Sequence, residues 1–155
     1  MQWIVRPMLV AAALALAGCD STPEKVKTHP VSGQVFYDGK PAAGVKVYFV
    51  PTSAPTVPLI PMNPHGVSGD DGRFAVGTFG PTDGAAEGGY QIVLSWPAEM
   101  KDGEEESEDR LLGWYTAVYS KLTAQVKSGE NALPPFQLPA RKTKPADVQG
   151  IPRKN

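Results

Sequence analysis

The sequence is poor in the residues that build metal and redox sites. Among 155 residues it has one cysteine, Cys19, and two histidines, His29 and His65. A single cysteine forms no intrachain disulfide and supplies no multi-cysteine zinc site. Neither histidine stands at metal-ligand spacing from other strong ligands in the sequence. We therefore expect a domain that folds without a metal or cofactor.

An excess of charge of one sign is also missing. The chain has 15 Lys+Arg against 16 Asp+Glu, a formal net charge of −1 at pH 7. Such a chain has no overall basic field, so a nucleic-acid partner is not expected. The sequence also lacks a Gly-x-Ser-x-Gly elbow, a Cys–His pairing and a His-Glu-x-x-His motif. These absences predict a protein that is not an enzyme.

Long apolar runs are missing as well. The run that follows the basic residue Arg6, Met8 to Ala17, is ten uncharged residues long, whereas a membrane-spanning helix needs about 20 apolar residues. A short basic start, a short apolar run and small residues at its end are the parts of a secretory signal. The sequence therefore predicts a signal peptide over residues 1–18.

The end of this signal, Leu16-Ala17-Gly18-Cys19, resembles the lipobox of bacterial lipoproteins. The resemblance implies cleavage between Gly18 and Cys19, a diacylglyceryl group on the Cys19 sulfur and acylation of the new amino group. Anchoring by two or more acyl chains is stable. The membrane partner would then be reached through Cys19, on the exported side of the cell membrane or the outer membrane. An ordinary signal with an incidental or buried structural cysteine is the alternative.

Glycine and proline, 16 residues each, favour short strands and turns over long helices. Period-two alternation predicts strands at Val31–Tyr37, at Val45–Phe49 and at Tyr90–Trp96. The first two flank Asp38-Gly39, a strong hairpin signal, so we expect them to pair with each other. Five prolines between residues 51 and 64 predict an extended surface loop, with a Pro-rich recognition ligand as the alternative.

The remaining strand signals are Gly66–Ser68, Arg73–Phe79, Leu122–Lys127 and Ala132–Leu138, the last two forming a final hairpin. Seven short strands predict an all-β fold, an antiparallel seven-stranded β-sandwich over 31–139 with transthyretin-like or Ig-like Greek-key topology. The predicted flanking segments are a lipidated tether, 19–30, and a basic, disordered tail, 140–155.

Four segments are similar to the transthyretin-like, carboxypeptidase-regulatory-like domains of bacterial envelope lipoproteins. They are Val31-Ser32-Gly33-Gln34-Val35-Phe36-Tyr37-Asp38-Gly39-Lys40-Pro41, Gly69-Asp70-Asp71-Gly72-Arg73-Phe74, Gly88-Gly89-Tyr90-Gln91-Ile92 and Leu122-Thr123-Ala124-Gln125-Val126-Lys127-Ser128-Gly129-Glu130-Asn131. These segments form turns and core, so the resemblance implies a fold and no catalysis. A transthyretin-related hydrolase would need several active-site histidines and a C-terminal Tyr-Arg-Gly-Ser, which this sequence lacks.

Three aromatic residues, Trp114, Tyr115 and Tyr119, precede the sixth predicted strand. Aromatic side chains on a loop can stack on sugar rings, so they are the candidate glycan-stacking residues; packing over the open end of the sandwich is the alternative. The predicted function is accordingly a non-catalytic domain in a binding or structural role, with an envelope protein or polysaccharide as partner. A carbohydrate-binding module of the envelope is the alternative function.

Two charged segments and one acidic turn complete the candidates. Seven acids fall in residues 99 to 109, which predicts an extended, wet loop; weak cation binding or a basic partner are the alternatives. The tail from Arg141 to Lys154 is basic, and contact with anionic lipid or wall polymer is the alternative to disorder. Asp70-Asp71-Gly72 predicts a turn before a strand, with a calcium loop as the alternative.

Overall fold

The structure is a computed structural model that describes residues 26–53, 63–98 and 107–145. Gly18 and Cys19 lie outside these ranges, as do most of the proline-rich and acidic segments. The described chain is all-β and has no helix, so it contains no helix that could cross a membrane. Its strands are β1 Thr28–His29, β2 Val31–Tyr37, β3 Lys40–Pro41, β4 Lys46–Pro51, β5 His65–Val67, β6 Arg73–Ala75, β7 Ala85–Ala86, β8 Gly88–Ser95, β9 Thr123–Val126, β10 Asn131–Ala132 and β11 Phe136–Leu138.

The strands form three open sheets. In the five-stranded sheet, β2 pairs with β3, β6, β10 and β11; the four-stranded sheet has the order β5-β4-β8-β9, and β1 pairs with β7. Most pairs are antiparallel, but β10 and β11 run parallel to β2. The expectation of seven strands in purely antiparallel order is therefore wrong in detail. Several strands of two or three residues were too short to give a period-two signal.

The alternation predicted for the longer strands is confirmed. Val31 and Val35 of β2 and Phe49 of β4 are buried, and Ile92 and Leu94 of β8 are buried as well. These side chains from both larger sheets belong to one hydrophobic cluster. The core therefore lies between the two sheets, and it fixes which face of β8 is left for a surface site.

The predicted hairpin between β2 and β4 is wrong. Asp38 (φ 49°) and Gly39 (φ 74°) do form the tight turn, but the strand that returns along β2 is only Lys40–Pro41. Proline has no N–H to continue the ladder. The chain then crosses to the other sheet, where the buried Ser68 hydroxyl donates to Ala42 O (2.6 Å) and accepts from Val45 N (2.9 Å).

The predicted final hairpin is wrong for a similar reason. β9 pairs with β8, whereas β10 and β11 pair with β2, so the turn at 127–131 joins the two sheets. The side chain of Asn131 holds this turn: its Oδ1 accepts from Lys127 N and its Nδ2 donates to the carbonyls of Lys127 and Gly129, each at 2.9 Å.

The boundary between tether and domain also needs correction. Thr28 and His29, assigned to the tether from the sequence, form β1 against β7. His29 is 5% exposed; its Nδ1 accepts the Gly129 N–H at 3.0 Å and its Nε2 lies 3.1 Å from Glu87 Oε1. The two-residue strand and its buried histidine show that the fold begins before Val31.

Candidate binding cleft

The segment between β8 and β9 has no regular structure, and its first anchor is Asp109. The carboxylate accepts the backbone N–H of Trp96 at 2.9 Å, of Leu111 at 3.2 Å and of Gly113 at 3.0 Å. Leu111 is 1% exposed and enters the core. Asp109 is therefore a structural cap, which corrects its assignment to a wet acidic loop. Most of that predicted loop lies outside the described residues, and Glu108 is exposed as expected.

The second anchor is Ser120. Its buried hydroxyl donates to Ile92 O, and Gln91 Nε2 donates to Ala117 O at 2.9 Å and to Ser120 O at 3.0 Å. Between the anchors, Leu94 N donates to Tyr115 O at 2.9 Å. The segment is thus fastened along the edge of β8 that β9 leaves uncovered.

The three aromatic residues singled out from the sequence line one cleft. Trp114, Tyr115 and Tyr119 border a cavity of about 350 Å³ together with Lys121, Leu122 and Arg141. This volume is within the range of small-ligand sites. Both readings of the aromatics hold in part, because Tyr115 also packs against the core while all three rings remain half-buried at the surface.

Arg141 is a cleft residue that sequence reasoning assigned to a disordered tail. Its guanidinium carbon lies 4.6 Å from the centroid of the Trp114 ring, and the Trp114 indole N–H donates to Thr143 O at 2.7 Å. Pro145 is buried. Residues 141–145 therefore pack on the domain, and the predicted disorder is wrong for this part of the tail. No local pattern around Arg141 signals a contact with a residue so distant in the sequence.

The electrostatics of the cleft are positive. Burial raises the pKa of the Tyr115 phenol, the nearby Arg141 charge offsets part of this effect, and Tyr37 adds to it. Lys121 and Arg141 are both exposed. Among the described residues neither has a carboxylate within 4.0 Å, since the two ion pairs found there are His29–Glu87 and Arg73–Asp71. Two cations thus border the cleft without an acidic partner.

A second cavity of about 510 Å³ lies beside this cleft and shares Tyr119 with it. Its walls are mostly apolar and include Val93, Leu112 and Thr116, with Lys144 at the border. Leu112 has a φ of 56°, which a leucine rarely adopts and which the Asp109 cap helps to hold. Tyr119 therefore separates an apolar cavity from an aromatic, cationic one.

The other sequence candidates lie elsewhere. His29 is in β1 and His65 in β5, where its ring stacks on Tyr48 at 6.0 Å. Asp71 forms the predicted turn: its Oδ1 accepts from Arg73 N at 2.9 Å, and Gly72 has a φ of 75°. Within residues 26–53, 63–98 and 107–145, no three His, Cys, Asp or Glu side chains come together as a metal site.

Comparison with known proteins gives two distant structural likenesses. A DUF3823 family protein from Parabacteroides merdae is 15% identical with a TM-score of 0.34, over 71% of this chain and 45% of that one. Catechol 1,2-dioxygenase from Pseudomonas arvilla is 16% identical with a TM-score of 0.37, over 88% of this chain and 59% of that one. The chain thus spans about half the length of these proteins, and at such scores neither likeness bears on its activity. No family model and no curated protein matches the sequence.

Proposed function

We propose that this protein is a lipid-anchored lipoprotein of the bacterial envelope whose domain is a non-catalytic β-sandwich in a binding or structural role. The observation that supports this most strongly is Leu16-Ala17-Gly18-Cys19, followed after 28 − 19 = 9 residues by β1. Nine extended residues span at most about 30 Å. The anchor would therefore hold the domain close to the bilayer surface.

The packing of the strands supports a sandwich as the finer description. The two larger sheets are open, and both contribute side chains to a single cluster that includes Val35 of β2 and Phe49 of β4. Two open sheets that share one core are the arrangement of a β-sandwich. The parallel pairs of β2 with β10 and β11 are the departure from the simple antiparallel topology.

Cys19→Ala tests the anchor. In a bacterial host that processes lipoproteins, the unchanged protein should enter the detergent phase and yield an acylated N-terminal peptide beginning at Cys19. The alanine protein should remain a precursor that carries no acyl group, because only the thiol accepts the diacylglyceryl group. Ser21→Ala is the matched control and should behave like the unchanged protein. Acylation of the Cys19→Ala protein would contradict the proposal.

The cleft favours a second, more specific function, a carbohydrate-binding module. Trp114, Tyr115 and Tyr119 come from one segment and border one concave site with two exposed cations. Aromatic faces beside polar groups suit sugar rings, which have an apolar face and a polar rim. The observation behind this function is that the fold brings the three rings into one cavity.

Binding to immobilised polysaccharides tests this second function. The detergent-solubilised full-length protein should be retained on at least one of several polysaccharide resins, and Tyr119→Ala should reduce that retention. Tyr48→Ala is the matched control, because Tyr48 is also half-buried but stacks on His65 away from the cleft. Equal retention of the two variants would contradict a role for the cleft aromatics.

A further inference from the structure

The cleft combines aromatic rings with cations and has no acidic side chain among the described residues of its wall. Arg141 lies over Trp114, and Lys121 is exposed on the same wall. Most surface guanidinium and ammonium groups on a domain with nearly balanced charge have carboxylates close by. Arg141 and Lys121 are without one in the described part of the chain.

The guanidinium of Arg141 is held in place before any ligand arrives. The Trp114 ring lies beneath it at 4.6 Å, and the Trp114 N–H bond to Thr143 O fixes the backbone two residues beyond Arg141. Stacking on a ring leaves the edge of the guanidinium fork, with its N–H donors, free to take a carboxylate. Prior ordering lowers the entropy cost of binding.

The position of the cleft argues against the supporting membrane as its occupant. The chain enters the domain at β1 and passes along β2 from Val31 to Tyr37, six residue steps of about 3.3 Å, or about 20 Å. Tyr115 lies close enough to Tyr37 to influence its titration. The cleft is therefore near the end of β2 that is remote from the tether, facing away from an anchor at Cys19.

From these observations we infer that the cleft binds an acidic saccharide, of which uronic acids are the simplest class. The sugar ring lies against Trp114 or Tyr119, and its carboxylate accepts hydrogen bonds from Arg141 with Lys121 adding positive charge. This inference rests on the carbohydrate-binding function proposed above and assigns its ligand class. It also gives the packed part of the tail a role, since Arg141 belongs to that segment.

A matched pair of polysaccharides tests the inference separately from carbohydrate binding itself. The full-length protein in detergent is titrated with polygalacturonate and with the same polymer fully methyl-esterified, which keeps the rings and removes the charge. We expect tighter binding to the acid form, and weaker binding as NaCl rises from about 50 mM to about 500 mM.

Variants locate the effect. Arg141→Gln should weaken polygalacturonate binding about tenfold, the change that about 1.4 kcal/mol produces and the lower end for a charge-assisted hydrogen bond. Lys142→Gln is the matched control, since it removes the same charge one residue away and outside the cleft wall. Arg141→Lys should retain more binding than Arg141→Gln, because the charge remains while the fork is lost.

The outcomes separate the two proposals. Equal affinity for the acid and esterified polymers, or equal loss in the Arg141→Gln and Lys142→Gln proteins, would overturn the acidic ligand and leave carbohydrate binding intact. Binding to phosphatidylglycerol vesicles but to neither polymer would overturn both and assign the cations to a lipid surface. Preference for the acid form that depends on Arg141 supports the inference.

Discussion

Two tryptophans in this domain have an arginine over the indole ring, yet their surroundings differ. Arg110 lies 3.6 Å from the Trp96 centroid, and Arg141 lies 4.6 Å from that of Trp114. Each indole N–H donates to a backbone carbonyl, Trp96 to Ala43 O at 2.8 Å and Trp114 to Thr143 O at 2.7 Å. Trp96 is 8% exposed, whereas Trp114 is only half-buried.

The difference shows that the same cation–π contact serves two purposes. Trp96 packs edge-on against Tyr37 at 5.2 Å and belongs to the core cluster, so Arg110 covers a ring that is already structural. Trp114 borders an open cleft, where Arg141 is in contact with solvent and with any ligand. Burial of the ring, and not the presence of the arginine, distinguishes a structural pair from a candidate binding pair.

The largest expected effect is on the structural pair. Trp96→Ala removes a large buried ring, its contact with Tyr37 and its bond to Ala43, and should lower the free energy of unfolding by about 3–5 kcal/mol. Denaturant unfolding followed by circular dichroism measures it. A loss below about 1 kcal/mol would mean that Trp96 is no more structural than Trp114, and the comparison would fail.

Asp109 connects the two pairs, because its carboxylate binds the backbone of Trp96 and the turn that leads to Trp114. Asp109→Ala leaves three N–H donors without this acceptor and should cost about 1.5–3 kcal/mol. Glu108→Gln is the control, since Glu108 is exposed, and it should change stability by less than about 0.5 kcal/mol. Unequal losses in denaturation midpoint confirm the cap, and equal losses contradict it.

The structural side of this comparison was more predictable from the sequence than the binding side. The alternation of Tyr90, Ile92 and Leu94 followed the buried face of β8, because period two reports which residues face a core. Val31–Tyr37 was predicted with the bounds that β2 has. Strong local patterns were enough for these elements.

Pairing and long-range contacts were not predictable in the same way. Alternation identifies a strand but not its neighbour, so β4 and β11 were assigned to hairpins that do not form. A two-residue strand such as β1 has no pattern to detect. The three cleft aromatics were found because they stand close together in sequence, but Arg141 meets Trp114 only through the fold. Cys19 stays a prediction, since it lies outside the described residues.

Trp114→Ala is the counterpart of the tryptophan variant in the core. It removes a half-buried ring, one hydrogen bond and the support beneath Arg141, so we expect a stability loss of about 1–2 kcal/mol and loss of polysaccharide retention. The opposite balance is expected for Trp96→Leu, which should lower stability but leave retention by the remaining folded protein unchanged. Retention that follows stability in both variants would remove the distinction between them.

The two arginines should have small and similar effects on stability. Arg110→Gln and Arg141→Gln each remove one exposed cation–π contact, worth about 0.5–1 kcal/mol. Thermal unfolding at matched ionic strength measures both. A larger loss for Arg141→Gln would show that residues 141–145 depend on this contact for their packing, and Arg141 would then be structural as well.

The smallest expected effect is a titration that separates the arginines by their surroundings. Burial raises the pKa of Tyr115, and Arg141 lowers it from that raised position. Arg141→Gln should therefore move the pKa of Tyr115 further up, while Arg110→Gln should leave it unchanged. The phenolate absorbance band follows the titration, and Tyr115→Phe identifies which transition belongs to this residue. Because the folded pKa is the higher one, the stability linked to Tyr115 is present below the unfolded pKa of about 10 and is lost as the pH rises through the folded pKa. That loss should begin at a higher pH in the Arg141→Gln protein, and an unshifted titration would show that the guanidinium does not act on the Tyr115 side of the cleft.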